Sequence, residues 1–211
     1  MLDLHWKIYF SAMLSDKILN QLIKKYPAPK FVDRTEFLFE DLVESIISQQ
    51  LSVKAANTIY GRFKDLFPVI ASKAKQSRSA FPNPQQILQM DDQKIRAAGI
   101  SFAKISYIKY IAKAFANNEI KIAELKNMSD EEVMMHLTNL KGVGKWTAEM
   151  TLIFTLHRPD IFSLGDAGLR RAIQTLYGIT DEKKMLKLSE SWKPHRSTAS
   201  WYLWRSLENK S

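Results

Sequence analysis

The apolar side chains of this chain recur at intervals of three and four residues rather than at every second residue. In residues 36–50 they line one face of a helix, formed by Phe37, Leu38, Leu42, Val43, Ile46 and Ile47. Only 7 glycines and 7 prolines interrupt the chain, so the pattern can continue over long stretches. It predicts an all-α fold with helices over residues 13–26, 36–50, 52–67, 129–137, 145–156, 167–177 and 194–207.

Residues 69–84 break this pattern. Alanine, serine, lysine and glutamine dominate the segment, its charges are Lys73, Lys75 and Arg78, and Pro82 and Pro84 end it. It is typical of an exposed loop or insertion. Its basic side chains could contact a phosphate backbone, or they could be solvated charges without a partner.

The loop and the capping pattern at residue 129 suggest how the chain is divided. Ser129 followed by Glu132 is the pattern that opens a helix by reciprocal side-chain and backbone bonds. We predict an N-terminal helical extension over residues 1–34, a helical lobe over residues 35–128 with the basic loop in it, and a second lobe over residues 129–211. A two-lobed helical bundle of this kind would hold its site in a cleft between the lobes.

Composition narrows the classes of partner. Lysine and arginine outnumber aspartate and glutamate by 31 to 22, and the formal net charge of +9 favours a polyanion, either nucleic acid or an anionic membrane surface. The absence of cysteine excludes disulfides, thiolate zinc sites, a cysteine nucleophile and an iron–sulfur cluster. No stretch reaches the roughly 20 apolar residues of a membrane span, and Asp3, Lys7 and Asp16 interrupt any signal peptide. We therefore expect an intracellular protein.

Four of the seven glycines lie between residues 142 and 168. In the sequence Leu-Lys-Gly-Val-Gly-Lys-Trp-Thr of residues 140–147, Gly142 and Gly144 permit a tight turn with positive φ between two helices. The free N–H groups at the start of the second helix, helped by Lys141 and Lys145, could bind a phosphate without reading its base. An ordinary turn with a glycine cap is the alternative.

Asp166 follows this turn by about twenty residues, directly after Gly165 and directly before a helix. Aspartate is a preferred residue for capping a helix N-terminus, which is one interpretation of Asp166. The other is a carboxylate at the mouth of a cleft that faces the turn.

The combined pattern resembles the helix–hairpin–helix DNA glycosylases, whose signature is an LxGVG hairpin followed after about twenty residues by a catalytic aspartate. The sequence is most similar to the DNA-3-methyladenine glycosylase II branch. The likeness extends to residues 48–56, 97–104 and 191–197, and it covers roughly residues 35–207 apart from the basic loop.

The resemblance implies a monofunctional enzyme that flips alkylated purines such as 3-methyladenine out of double-stranded DNA and hydrolyses the N-glycosidic bond. It assigns catalysis to Asp166 and the pocket to Trp146, Trp204 and Met150. The DNA contacts that it implies at the hairpin are Lys141, Gly142, Gly144, Lys145 and Thr147. It also implies a wedge, a side chain that fills the gap left in the base stack by the flipped base. Gln50 takes that position, Leu51 is the alternative wedge, and Gln49 lies beside them in the sequence. Bifunctional members carry a lysine where this chain has Trp146.

The resemblance requires no cofactor, but it implies a Na⁺ or K⁺ ion held by the backbone carbonyls of Thr138, Leu140 and Val143. It also implies a monomer that acts on damaged duplex DNA, away from membranes. Met150 stands where the branch has a tyrosine and Ala167 where it has an aromatic residue. A glycosylase for deaminated or oxidised bases and a non-catalytic helix–hairpin–helix DNA-binding protein therefore remain alternatives. His5, His136, His157 and His195 lack the spacing of metal ligands.

Overall fold

The structure is a computed structural model that describes residues 13, 15–67 and 81–208. The described residues form α-helices and one short 3₁₀ helix, and they contain no strand. The prediction of an all-α fold is confirmed. None of the described helices combines the length and apolar character that crossing a bilayer requires. Most of the predicted basic loop, residues 69–80, lies outside the described residues.

The helices follow one another with short connections. In chain order they are α1 (Lys17–Lys25), the 3₁₀ helix (Thr35–Phe37), α2 (Leu38–Ser48), α3 (Val53–Asp65), α4 (Pro84–Gln89), α5 (Asp92–Ala97), α6 (Phe102–Ala116), α7 (Ile122–Leu125), α8 (Asp130–Thr138), α9 (Lys145–Phe154), α10 (Ala167–Tyr177), α11 (Glu182–Glu190) and α12 (Arg196–Glu208). Each of the seven predicted segments contains one of these helices, with ends that differ by a few residues.

Five helices were not among the predicted segments, namely α4, α5, α6, α7 and α11. Four of them have nine residues or fewer, which gives a helical period little length in which to appear. The fifth, α6, has 15 residues. Its apolar residues surround the helix instead of forming one stripe, because α6 packs against α2, α4 and α5 on several sides.

Side chains define several helix starts. Ser129 and Glu132 form the predicted capping box at the start of α8. Asn83 and Gln86 form a second box at α4, where Pro84 occupies the first turn. Asp166 caps α10 and Asp181 caps α11, each through a side-chain oxygen that accepts a backbone N–H.

The chain divides into two compact units, one formed by residues 1–33 together with residues 152–211, the other by residues 34–151. The expected boundary between residues 128 and 129 falls inside the second unit. The reason is that α8 and the hairpin pack with the preceding helices, for example through Tyr107 of α6 against Gly142. The N-terminal segment groups with the C-terminal helices instead of forming an extension of its own.

The unit of residues 34–151 is organised around α2 and α6. Leu42, Ile46 and Ile47 of α2 and Ile105 and Ile108 of α6 are buried in its core, and α3 packs against the same helix α2. The segments with predicted DNA contacts adjoin two helices of this unit, since α2 ends directly before Gln49 and α9 begins directly after Gly144.

The unit formed by the two ends of the chain has its own core. Helix α12 packs against both α10 and α1, and the buried side chains include Leu19, Ile173, Trp192 and Leu203. Asp16 joins the chain ends: its Oδ2 accepts hydrogen bonds from Tyr177 Oη at 2.9 Å and from Trp192 Nε1 at 3.0 Å. Burial, together with Asp16, raises the pKa of Tyr177 above its ordinary value.

Candidate active site

Asp166 is at once a helix cap and the partner of a tryptophan. Its Oδ1 accepts the backbone N–H of Leu169 at 2.6 Å and the indole N–H of Trp204 at 2.8 Å. The first bond makes Asp166 the N-cap of α10, and the second ties it to α12. The capping interpretation is therefore correct, and it coexists with the arrangement expected for a positioned carboxylate.

Residues 158–161, which precede Asp166, form hydrogen bonds with the start of α12, the helix that carries Trp204. Arg196 binds both carboxylate oxygens of Asp160 through Nε and Nη2, at 2.8 Å and 2.9 Å. Ser197 Oγ donates to the carbonyl of Arg158 and accepts the N–H of Ile161. These contacts fix residues 158–161, five residues before Asp166, to the same helix that supplies the indole.

Further aromatic rings lie next to Trp204. The centroid of Phe154 lies 5.7 Å from that of Trp204, and Phe31 lies 6.2 Å from Phe154. Phe154 is exposed over 41% of its surface. An exposed ring beside a positioned carboxylate offers a π face to a flat, cationic ligand.

The hairpin between α8 and α9 has the predicted sharp turn, made by one of its two glycines. Gly142 has φ of 88°, whereas Gly144 is not in the left-handed region. A Cβ on Gly142 would lie 2.7 Å from the ring of Tyr107, but one on Gly144 would meet no atom within 4 Å. Gly142 therefore serves the turn and its packing, and Gly144 leaves open space at the start of α9.

Three predicted contacts near the hairpin differ in their surroundings. The ammonium of Lys141 lies 5.2 Å from the ring centroid of Tyr110, and Lys145 is exposed at the first position of α9. Thr147 is only 5% exposed and its carbonyl accepts the hydroxyl of Thr151. This burial argues against a DNA contact through the side chain of Thr147, which faces the interior because it lies on the inner side of α9.

The predicted wedge follows the end of α2. Gln50 is exposed and has φ of 59°, a left-handed conformation that non-glycine residues seldom adopt. Gln49 donates from Nε2 to the carbonyl of Gly142 at 3.0 Å, so its side chain links this turn to the hairpin rather than to solvent. Leu51, the alternative wedge, is 37% exposed.

Two predicted pocket residues belong to α9. Trp146 is 48% exposed and Met150 is partly buried. Both belong to the unit of residues 34–151, whereas Asp166 and Trp204 belong to the unit formed by the chain ends. The structure thus brings together Asp166 and Trp204 directly.

A family model described as "HhH-GPD superfamily base excision DNA repair protein" matches residues 43–195. The chain belongs to the HhH-GPD superfamily. The match spans the predicted wedge segment, the hairpin and Asp166, and it ends directly before α12.

Several HhH-GPD relatives cover most of the chain. DNA-3-methyladenine glycosylase 1 of Schizosaccharomyces pombe is 37% identical over 90% of this chain and 81% of its own. The crystal structure of a Bacillus halodurans DNA-3-methyladenine glycosidase has a TM-score of 0.77 and 34% identity, with 94% of this chain and 88% of that chain covered. An S. pombe 3-methyladenine DNA glycosylase in complex with abasic DNA has a TM-score of 0.76 and 33% identity, with 93% and 96% covered.

Sequence reasoning missed two residues that contact predicted site residues or their neighbours. Phe154 reaches Trp204 from the end of α9, and in the sequence it looks like one apolar residue of a buried helix. Lys104 of α6 donates to two carbonyls beside the wedge, and in the sequence it looks like a solvated lysine. Desolvation lowers the pKa of Lys104 below its ordinary value. No sequence signal distinguished Phe154, and Lys104 stood out only as the last residue of the segment 97–104 that carries part of the resemblance.

Proposed function

We propose that this chain is a monofunctional DNA glycosylase that removes alkylated purines such as 3-methyladenine from double-stranded DNA and leaves an abasic site. The observation that carries the proposal is the carboxylate of Asp166, held by a backbone N–H and an indole N–H in an HhH-GPD protein. Relatives named as 3-methyladenine glycosylases over most of this chain support the substrate class.

Asp166 suits the chemistry of N-glycosidic bond cleavage. As the bond between C1′ and the base nitrogen breaks, the electron pair leaves with the base and positive charge develops on the deoxyribose. A carboxylate fixed beforehand stabilises that charge without reorganising during the reaction. Water then forms the new bond to C1′ and releases one proton, so the products are the free base and an abasic sugar.

Selectivity for alkylated purines follows from the charge of the substrate. A 3-methylated adenine is cationic in the nucleotide and leaves as a neutral base, so it needs little help from an enzyme acid. Electron-rich ring faces attract such a cation by about 0.5–2 kcal/mol each. In our proposal Trp204 and Phe154 supply such faces next to Asp166. The family resemblance is our reason for assigning Trp146 and Met150 to recognition of the base as well.

The hairpin and the wedge account for DNA binding in the same proposal. Backbone N–H groups at the start of α9 bind a phosphate next to Gly142 and Gly144, and Lys141 and Lys145 add positive charge. Gln50 fills the gap that the flipped base leaves, and Leu51 packs beside it. The solved relative in complex with abasic DNA supports a DNA substrate.

We also propose that a monovalent cation stiffens the hairpin. Thr138 is the last residue of α8, and Leu140 and Val143 follow it. The helix dipole is negative at this end, so the carbonyl oxygens there favour a cation. The carbonyl of Leu140 accepts the N–H of Val143 at 3.0 Å, which leaves its second lone pair for an ion. The ion would be structural, and the cleavage chemistry would use no cofactor. The protein would act as a monomer within the cell.

Asp166→Asn tests the catalytic assignment. Asparagine also caps helices, and its oxygen can accept both N–H groups, so the variant should fold while losing the charge. We expect release of 3-methyladenine from a duplex to fall by at least about 100-fold, with binding to abasic-site DNA largely retained. Single-turnover release of the base measures the first quantity and a titration with labelled duplex the second.

Asp181→Asn is the matched control, because Asp181 caps α11 in the same way within the same unit. It should keep full activity. Wild-type activity in Asp166→Asn would overturn the catalytic role. DNA binding without excision of any base by the wild-type protein would favour a non-catalytic DNA-binding protein instead.

Two further measurements complete this test. Excision from duplexes with alkylated, deaminated and oxidised bases ranks the lesions, and preference for an uncharged lesion would contradict the cation argument. Borohydride reduction during turnover should trap no covalent complex, because Trp146 stands at the hairpin position of the lysine in bifunctional members. A trapped adduct would contradict the monofunctional assignment.

A further inference from the structure

The backbone at the proposed wedge has a conformation that it would not keep unaided. Gln50 is exposed and its φ of 59° lies in the left-handed region, where a side chain with a Cβ is disfavoured. Such a residue persists only where neighbouring groups hold it. The question is which groups hold Gln50.

Lys104 supplies the most direct support. Its Nζ donates to the carbonyl of Ile47 at 2.8 Å and to the carbonyl of Gln49 at 2.7 Å. These carbonyls belong to the last turn of α2 and to the residue directly before Gln50. A helix leaves its final carbonyls without helical partners and carries negative partial charge there, so an ammonium group is well matched to them.

The same face of α6 also supports the hairpin. Tyr107, one turn after Lys104, packs against Gly142, and Tyr110 lies under the ammonium of Lys141. The side chain of Gln49 closes the connection by donating to the carbonyl of Gly142. Lys104, Tyr107 and Tyr110 recur at intervals of three along α6, so one helix face supports both the wedge turn and the hairpin.

We propose that Lys104 is a positioning residue that holds the turn at Gln50 in its left-handed conformation and thereby fixes the wedge before DNA is bound. This inference rests on the proposed function. A wedge fixed in advance loses less conformational entropy when it enters the base stack. The benefit belongs to base flipping and not to bond cleavage, so removing the ammonium should slow excision most where the lesion is firmly paired.

Lys104→Met tests this inference, because methionine keeps much of the length and removes the donor. Single-turnover excision of 3-methyladenine is measured in two duplexes, one with the lesion opposite thymine and one with it opposite an abasic-site analogue, where no base pair must be broken. Relative to wild type, we expect Lys104→Met to lower the rate for the paired lesion by about tenfold more than the rate for the unpaired lesion. Equal loss on both duplexes would overturn the proposal.

Lys109→Met is the matched control. Lys109 lies on the same helix α6, and its Nζ donates to the carbonyl of Met90 at 2.8 Å, directly after α4, and pairs with Asp92. The contact is of the same kind but lies at another turn. Lys109→Met should leave the ratio of rates unchanged, and an equal shift there would also overturn the proposal. Lys104→Gln, which keeps one donor, should show a smaller shift and serves if the methionine variant does not fold.

A second readout needs no excision. The fluorescence of 2-aminopurine opposite an abasic-site analogue reports how the wedge fills the gap, and the wild-type change should be reduced in Lys104→Met but not in Lys109→Met. A wild-type protein that excises no alkylated base would contradict the proposed function alone. Normal excision with no selective effect of Lys104→Met in either assay would contradict only the role of Lys104.

Discussion

Asp166 is the N-cap of α10, and the same carboxylate also binds an indole N–H. One carboxylate oxygen accepts both the N–H that begins α10 and the N–H of Trp204. The space around this oxygen is tight: a Cβ on Gly168 would lie 3.2 Å from Asp166 Oδ1 and 3.4 Å from the indole of Trp204. The backbone N–H holds the carboxylate from one direction, and the indole N–H holds it from another. The orientation of the carboxylate therefore does not depend on the substrate.

Trp204→Phe tests the contribution of the indole N–H separately from that of the aromatic ring. The variant keeps an aromatic side chain near Phe154 but removes one hydrogen bond to a carboxylate, which is worth about 1.5–3 kcal/mol. We expect excision to slow by roughly tenfold or more at saturating enzyme, and the melting temperature to fall by several degrees. Trp201→Phe, three residues earlier on α12, is the control and should keep the wild-type rate. Equal rates in both variants would show that the indole N–H does not position Asp166.

Individual site residues were predictable only where the motif fixed them. Asp166 and Trp204 were each indicated, but their hydrogen bond joins positions 38 residues apart and appears only in the fold. Thr147 adjoins the hairpin in the sequence, yet it lies on the buried side of α9. The role of Lys104 could not be predicted, because it depends on carbonyls that α2 brings to it.

At the scale of elements, the two glycines of the hairpin differ in function. Gly142 makes the turn and packs against Tyr107, and Gly144 leaves open space at the start of α9. Gly142→Ala would place a methyl group 2.7 Å from the ring of Tyr107 in a left-handed backbone. We expect a loss of about 2–4 kcal/mol in the free energy of unfolding, from strain and overpacking together. Urea denaturation measures this loss, and a loss below about 1 kcal/mol would show that the turn can adapt.

Gly144→Ala is the counterpart, since its methyl group would enter open space. Its stability should remain within about 0.5 kcal/mol of wild type, while binding to abasic-site DNA should weaken because the methyl group keeps the phosphate away from the N–H groups of α9. Unchanged DNA binding would show that the phosphate does not approach at this position.

Helices of more than about two turns were most predictable where one apolar stripe runs along them. The segments with one apolar stripe, such as α2 and α10, had a clear period. Helix α6 is packed by α2, α4 and α5, so its apolar residues point in several directions and no stripe marks it. The helix that supports both the wedge and the hairpin was therefore the longest one without a prediction.

At the scale of the whole molecule, the division into units follows packing that the sequence does not display. The two ends of the chain form one unit, and the boundary at residues 151 and 152 falls within the continuous helix α9. No change of composition marks such a boundary, because a helix that passes from one core to another keeps the same kind of residues. The grouping of residues 1–33 with residues 152–211 depends on particular contacts of α1.

Asp16 is the polar contact that we expect to matter most for that grouping. In Asp16→Asn the amide oxygen can still cap α1, but the amide NH₂ would face the hydroxyl of Tyr177 and the indole N–H of Trp192, both of which donate to Asp16. The Tyr177 hydroxyl can rotate and accept from the amide, but the buried indole N–H of Trp192 would face a second donor. We expect the free energy of unfolding to fall by about 3 kcal/mol, whereas Tyr177→Phe, which removes one bond, should lower it by about 1 kcal/mol. Urea denaturation compares the two variants. If Asp16→Asn proved no less stable than Tyr177→Phe, apolar packing of α1 against α12 would hold the chain ends together without this carboxylate.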